Sequence, residues 1–582
     1  MRDQTTILIA TSWAVSYIAE VMASTNTLLG LNFSQLSETT NSFHYFPAGT
    51  SCNQHTLVCR LLTEFFSTTR HYYLFICSLV ALCSIAYLAR PAKLRLQNAP
   101  IHGARWRFEP SIMTQSRFTD NAMAIVTSGY KKFQERPFVV RRYDADITIL
   151  PHEYLSEMRL MPAEKLSAVR VQVKNMAHKY TKTSFLMDSD LHFRVLQNKL
   201  TPELPKYLDM AKKEISNACT VALPQTDDWI EVGIQPLMRM VVARITSAVM
   251  VGYPTARDPE WLNLIIDYPG DMLDVAYTLR RFPPWMHPLV ALFLPARYRL
   301  ARKYKIALRI LSPVMDKLAR LRGPGDKGIE AVTGEDDTLL NWMLDRGDEK
   351  ETRYEEMAAR QVLLSLASIH TTSMTVSNIL YDLCEHPEWF SVLRAEIKAT
   401  ASELGPMGSE VGIVQWLFRL EKMNSFIVET QRMRPPIILS PQREAMEPLT
   451  LQDGTHIPKG SRISWAAYNH INSHTITPNP ERFDPMRSYH KRHAAPDEKN
   501  KHLAGQTDVN NLTFGYGKLA CPGRAFAISE VQMIVVTILM DFDFKFPTGK
   551  GRPKDMFADE QMFPDPSATI MIRKRGKKSP LE

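Results

Sequence analysis

Residues 514–526 read Phe514-Gly515-Tyr516-Gly517-Lys518-Leu519-Ala520-Cys521-Pro522-Gly523-Arg524-Ala525-Phe526. Gly517 and Gly523 tolerate backbone angles that other residues resist, and they let the backbone come close to a flat ligand. Pro522 brings no N–H, which suits a junction between loop and helix. The pattern predicts that Cys521 projects from a tight loop capped by the N-terminus of an apolar helix over 523–540. Free N–H groups and the helix dipole at such an end lower a thiol's pKa and favour the thiolate. A thiolate held this way can serve as the axial ligand of a heme iron. The plain alternative is a buried free cysteine, the commonest fate of a lone one.

The chain around this loop has 582 residues, 45% of them hydrophobic and 23% charged. It can bury a large core, and its length would allow several domains. Seven cysteines are too few for a disulfide scaffold. A net charge of +9 without a long Lys/Arg tract gives no nucleic-acid arm. The basic tail from Arg573 to Lys578 reads as solvated.

The spacing Phe-x-x-Gly-x-x-x-Cys-x-Gly resembles the heme-binding loop of the cytochrome P-450 monooxygenases, with Phe514, Gly517, Cys521 and Gly523 in the motif's places. The resemblance covers roughly residues 95–572. It implies one mainly α (α+β) domain of the cytochrome P-450 fold, with a long central helix and small sheets. It also implies heme b (iron protoporphyrin IX) as cofactor, with Cys521 as axial ligand. Leu519 stands where the family usually has an Arg or His that pairs with a heme propionate; Lys518 is the adjacent basic residue. The segment from Asp190 to Pro202 occupies the place of the family's Trp-x-x-x-Arg, whose Arg binds the second propionate. Phe193 and Gln197 fill those two positions, so Asn198 and Lys199 become the candidate substitutes. A solvated helix face explains this segment equally well.

Residues 354–384 carry a long amphipathic pattern that stops before Pro387. Inside it, Ala367-Ser368-Ile369-His370-Thr371-Thr372 resembles the family's oxygen-activating motif, Ala/Gly-Gly-x-Asp/Glu-Thr-Thr. Thr371 matches its threonine, Ser368 replaces a glycine and His370 replaces the acid. A mid-helix Thr can bond to a carbonyl one turn back and bend the helix. Cleaving dioxygen needs two protons, and a His near pKa 6.5 can relay them. Thr371, His370 and Ser368 are thus the candidate catalytic residues; a satisfied core histidine is the other reading of His370. His-Thr-Thr also occurs in the fungal subgroup resembling ent-kaurene oxidase. Further on, Glu429 and Arg432 lie three apart on one helix face and resemble the family's Glu-x-x-Arg. Arg482, in Pro480-Glu481-Arg482-Phe483, is expected to complete a structural cluster with them. By resemblance Ile437, Ile438 and Leu439, with Ala367, line the substrate pocket.

Residues 72–89 are apolar and uncharged, long enough as a helix (~27 Å) for a bilayer core of ~30 Å. Arg90, Lys93 and Arg95 follow, so the positive-inside rule puts the rest in the cytosol. We expect a single-pass membrane protein of the endoplasmic reticulum. Residues 1–71 read first as a lumenal segment, with Asn32 a glycosylation site and Cys52 and Cys59 able to pair; a second membrane helix or a disordered tail are the alternatives. A proline-containing linker (90–110) leads to the catalytic domain (111–582). Within that domain, 137–150 reads as a β-hairpin, Asp453-Gly454 as a type I′ turn and 463–466 as a strand. Residues 285–295 are either a core helix or, as in the family, a membrane-facing segment.

The function implied is a heme-thiolate monooxygenase acting on an apolar small molecule of the terpenoid or meroterpenoid kind, in fungal secondary metabolism. No dinucleotide-binding fingerprint is present. Electrons are therefore expected from NADPH-cytochrome P-450 reductase, with cytochrome b5 as a further donor. Two other classes stay open: a heme-thiolate isomerase or dehydratase that needs no dioxygen, and a membrane-tethered binding protein whose heme site has decayed.

Overall fold

Apolar residues recur at helical spacing between prolines, so helices take up most of the chain. The computed structural model describes Ser78, Leu96 and residues 99–106, 109–322 and 334–576. The chain divides into two units, Met1–Arg90 and Pro91–Glu582, and the second holds the fold. Its longer helices are α1 Ser111–Lys132, α2 Leu204–Ala222, α3 Ile234–Met250, α4 Pro259–Arg280, α5 Pro295–Arg322, α6 Tyr354–Glu385, α7 Glu388–Leu404, α8 Glu421–Met433 and α9 Arg524–Asp541. The expected breaks at Pro202, Pro224, Pro254 and Pro283-Pro284 fall between helices, whereas Pro269 and Pro313 are held inside α4 and α5.

Strand pairs supply the rest. β1 Phe138–Arg141 and β2 Asp146–Ile149 form the expected hairpin. They join β3 Leu166–Ser167, β5 Gln442–Ala445 and β8 Arg462–Ser464 in a five-stranded sheet of order β1-β2-β8-β5-β3. β4 Ile230–Gly233, β12 Thr569–Lys574 and β9 Phe542–Lys545 make a three-stranded sheet. β6 Leu449–Thr450 pairs with β7 His456–Ile457, and β10 Asp555–Ala558 with β11 Gln561–Pro564. The Asp453-Gly454 turn is not type I′, because only Gly454 takes a positive φ. The Asp453 carboxylate accepts the Thr455 N–H at 2.9 Å, so a side-chain bond shapes the turn.

α6 is the axis of the helical part. It packs on α3, α4, α5, α8 and α9, and most of its side chains are buried. The main hydrophobic cluster gathers around it, from Leu208 and Met238 to Leu380 and Ile534. In the middle of this buried helix Ala367 and Thr371, one turn apart, remain exposed. A gap therefore lies along one face of the axial helix.

Trp285, Leu289, Leu292 and Phe293 are exposed, the last by 76%, so these four residues form no core helix. Among the described residues no helix is long and apolar enough to cross a membrane. The candidate span 72–89 (apart from helical Ser78), Asn32, Cys52 and Cys59 lie outside the described residues.

Candidate active site

The cysteine loop closes by a backbone bond from Cys521 N–H to the Phe514 carbonyl, 2.8 Å long. Gly515 and Gly517 turn it with φ of +77° and +73°. At Gly517 a Cβ would come within 2.7 Å of the Arg159 carbonyl, so space as well as angle excludes a side chain. Gly523 differs from expectation. Its φ is an ordinary −91° and it is the cap of α9, with Pro522 just outside. A Cβ at 523 would meet nothing within 4 Å, so what this glycine provides is open space.

The N–H groups of Gly523 and Arg524 reach the Cys521 thiol and lower its pKa, as the helix-end argument requires. Burial opposes them and is the larger effect, so the thiol sits above its ordinary value. The expectation of a lowered pKa fails for the side chain alone; a bound metal cation would supply the missing charge. Arg524 also ties the loop, donating from Nη1 to the Cys521 carbonyl at 2.8 Å. Thr201 approaches from the Leu191–Thr201 segment and donates to the Pro522 carbonyl at 3.3 Å.

That segment is a short helix, Leu191–Val195, running into a π turn, Leu196–Leu200. Gln197 and Asn198 are exposed on it. Lys199 is not free for an anion. Its ammonium pairs with Glu203 and lies 3.4 Å from the Trp342 ring centroid. Lys518 is exposed.

The residue that the sequence did not single out is Arg443, on β5. It is 9% exposed, and among the described residues its one side-chain bond runs from Nη1 to the Gln442 carbonyl at 2.8 Å. Among the described residues no carboxylate meets it, and burial alone pulls its pKa down to about 10. It lines one small cavity together with Leu519, Tyr516, Arg159 and Trp465. A buried guanidinium without an anion is costly. Leu519, the position where the family's cation is missing, lines the same cavity, so Arg443 offers what Leu519 lacks. These features fit a heme: an orphan buried cation at one edge, an exposed strip within a buried helix, and open space beside Gly523. Cys521 would ligate the iron, Gly523 admit the ring plane and Arg443 take a propionate.

On α6, Thr371 Oγ1 donates to the Ala367 carbonyl at 2.8 Å, the bond expected of a mid-helix threonine. The helix runs on unbroken over 32 residues. Ser368 donates to the Leu364 carbonyl at 2.9 Å and Thr375 to the Thr371 carbonyl at 2.9 Å. Hydroxyls therefore follow one another along this face. His370 is not among them, because its Nε2 lies 3.2 Å from the Ile266 carbonyl on α4.

Of the pocket candidates, Ile437 is 42% exposed but Ile438 and Leu439 are fully buried. Those two pack with Phe118, Val140 and Ile147 in a separate core cluster. Of this stretch Ile437 is left to face a ligand, with Ala367 exposed on α6.

The Glu429–Arg432 pair forms as expected, with two bonds of 2.7 and 2.9 Å. Its third member is corrected. The Arg482 side chain is exposed, and only its carbonyl takes part, accepting from Arg432 Nη2 at 3.2 Å. Arg487 supplies the second guanidinium, 3.3 Å from Glu429, and Asp484 N–H adds a bond of 2.9 Å to the same carboxylate.

A sequence profile of the cytochrome P-450 family matches residues 169–572. A cytochrome P-450 monooxygenase of Stachybotrys chlorohalonatus is 42% identical over 499 residues, covering 85% of this chain and 94% of that protein. An ent-kaurene oxidase of Fusarium fujikuroi is 34% identical, covering 82% of this chain and 88% of that protein. Among solved structures, a retinoic acid-bound cyanobacterial cytochrome P-450 matches with a TM-score of 0.59 and 17% identity, over 83% of this chain and all of that one; this likeness shows the fold alone. The chain belongs to the cytochrome P-450 family and is a heme-dependent monooxygenase, an oxidoreductase that uses molecular oxygen.

Proposed function

We propose that this enzyme hydroxylates or otherwise oxidises an apolar small molecule, a terpenoid or meroterpenoid, in fungal secondary metabolism. The likeness to an ent-kaurene oxidase across 82% of the chain carries this reading. Ala367, exposed one turn from Thr371 on α6, and the exposed Ile437 agree with it. The cofactor is heme b, and electrons come from NADPH-cytochrome P-450 reductase, with cytochrome b5 as a secondary donor. Bound heme supplies the oxygen chemistry. Thr371 holds its hydroxyl on the exposed face of α6, where it passes a proton once it swings from the Ala367 carbonyl. Arg443 and Cys521 fix the ring.

The enzyme is proposed to lie on the endoplasmic reticulum membrane with its catalytic domain in the cytosol. The exposed Trp285, Leu289, Leu292 and Phe293 support contact with a lipid surface.

The test is turnover of a panel of diterpenes and meroterpenoids with a fungal reductase, with and without NADPH and dioxygen. Oxygen- and NADPH-dependent product from one class supports the reading. Turnover that needs neither would place the enzyme with the isomerases. Thr371→Ala is expected to keep NADPH consumption while raising peroxide release several-fold; unchanged coupling would move the proton path elsewhere.

A further inference from the structure

His370 adjoins Thr371 in sequence but faces another way in space, because one residue along a helix turns the side chain by about 100°. Its Nε2 meets the Ile266 carbonyl of α4 at 3.2 Å. A carbonyl oxygen only accepts, so Nε2 must carry the hydrogen and the ring is a donor there. The turn it meets is unusual. Pro269 lies within α4 and is buried. Proline has no N–H for the carbonyl four residues back, here Ile265, and its ring crowds that carbonyl. Helices commonly bend at such points, and the carbonyl that His370 meets is the next one along, that of Ile266. His370 brings an N–H donor from α6 to the turn that Pro269 weakens.

The charges around the ring do not favour a proton carrier. Burial and the positive charge of Arg239 on α3 hold His370 down to about 4. The acid acting on Arg239 is Asp267 of α4. The imidazole is neutral at physiological pH, and its proton is committed to a carbonyl.

We propose that His370 is a positioning residue, a neutral N–H donor that clamps the Pro269 turn of α4 to the turn of α6 bearing Ala367 and Thr371. It thereby fixes α4 beside the reactive face, and the proton-carrying groups left on that face are hydroxyls. The inference rests on the family membership alone and not on the substrate class proposed above.

The experiment uses the full-length, heme-loaded enzyme with His370→Leu and His370→Gln. Hydrogen exchange of residues 262–272 and spectral titration with an imidazole-type azole are the readouts. Neither needs the natural substrate, and a wild-type azole shift confirms heme loading independently. His370→Leu is expected to speed exchange in 262–272 at least tenfold and to weaken azole binding about fivefold or more. His370→Gln, which keeps an N–H donor of similar reach, is expected to restore both to within twofold of wild type. Wild-type exchange in His370→Leu would overturn the proposal, as would a His370→Gln that behaves like the leucine variant. Should His370→Leu not load heme, His370→Gln is expected to load it and exchange as wild type, and its failure to do so overturns the proposal too.

Discussion

Among the described residues no carboxylate meets the buried charge of Arg443; in a heme-binding family a propionate would be its partner. Cys521 shows the complementary situation, a thiol offered two N–H groups but held above its ordinary pKa by burial. Each group is unfavourable alone and would be balanced by the opposite charge of the same ligand. Arg443→Leu is therefore expected to speed heme loss to an excess heme acceptor by 10–100-fold, the usual scale for groups that orient a metal centre. Arg443→Lys should fall between, since it keeps the charge but not the fork. Heme retention unchanged in Arg443→Leu would remove it from the site. Cys521 was legible because its neighbours are glycines and proline at fixed offsets. Arg443 was not, because an arginine between Gln442 and Glu444 on a short strand reads like any solvated one; only burial separates it.

At the scale of elements, Glu429 on α8 holds together a loop some fifty residues away. It is 1% exposed and binds Arg432, Arg487 and the Asp484 N–H at once. Removing it leaves two guanidinium groups without their carboxylate, so Glu429→Ala should cost about 3–5 kcal/mol and reduce folded holoprotein. Arg487→Ala should cost less, and Arg482→Ala almost nothing, as its side chain points to solvent. Thermal unfolding of the three variants checks this order, and an Arg482→Ala as damaging as Glu429→Ala would contradict it. The helix pair was readable from i, i+3 spacing. The choice between Arg482 and Arg487 was not, because both follow the same Pro480-Glu481 turn and only the loop's path decides which guanidinium turns inward. The hairpin of β1 and β2 and the extent of α6 were legible for the opposite reason: their patterns are local.

Across the whole molecule, buried ionic groups tie distant segments. Arg142 joins Asp144 at 2.7 Å and Glu560 at 2.6 Å, and Arg280 at the end of α4 joins Asp559 at 2.5 Å. Nothing in the sequence announces Arg142–Glu560 or Arg280–Asp559, pairs separated by hundreds of residues. Glu530 on α9 is a different case. It is buried, Thr246 Oγ1 donates to it at 3.3 Å, and burial pushes its carboxyl up to about 8. Between the ordinary carboxylate range and about pH 8 the folded chain keeps a proton that the unfolded chain has lost. Stability thus falls as pH rises through that window, by up to about 1.4 kcal/mol per pH unit, and levels off above it. Glu530→Gln should remove this slope and unfold at higher temperature than wild type at pH 8; an unchanged slope would assign the pH dependence to other groups.

The reduced, carbon monoxide-bound difference spectrum of the full-length protein tests the central assignment, Cys521 as a thiolate ligand of heme. A strongly red-shifted Soret band in the wild type, absent from Cys521→Ser, is the predicted result. A histidine-like band in fresh wild-type protein, or an unaltered red-shifted band in Cys521→Ser, would contradict it.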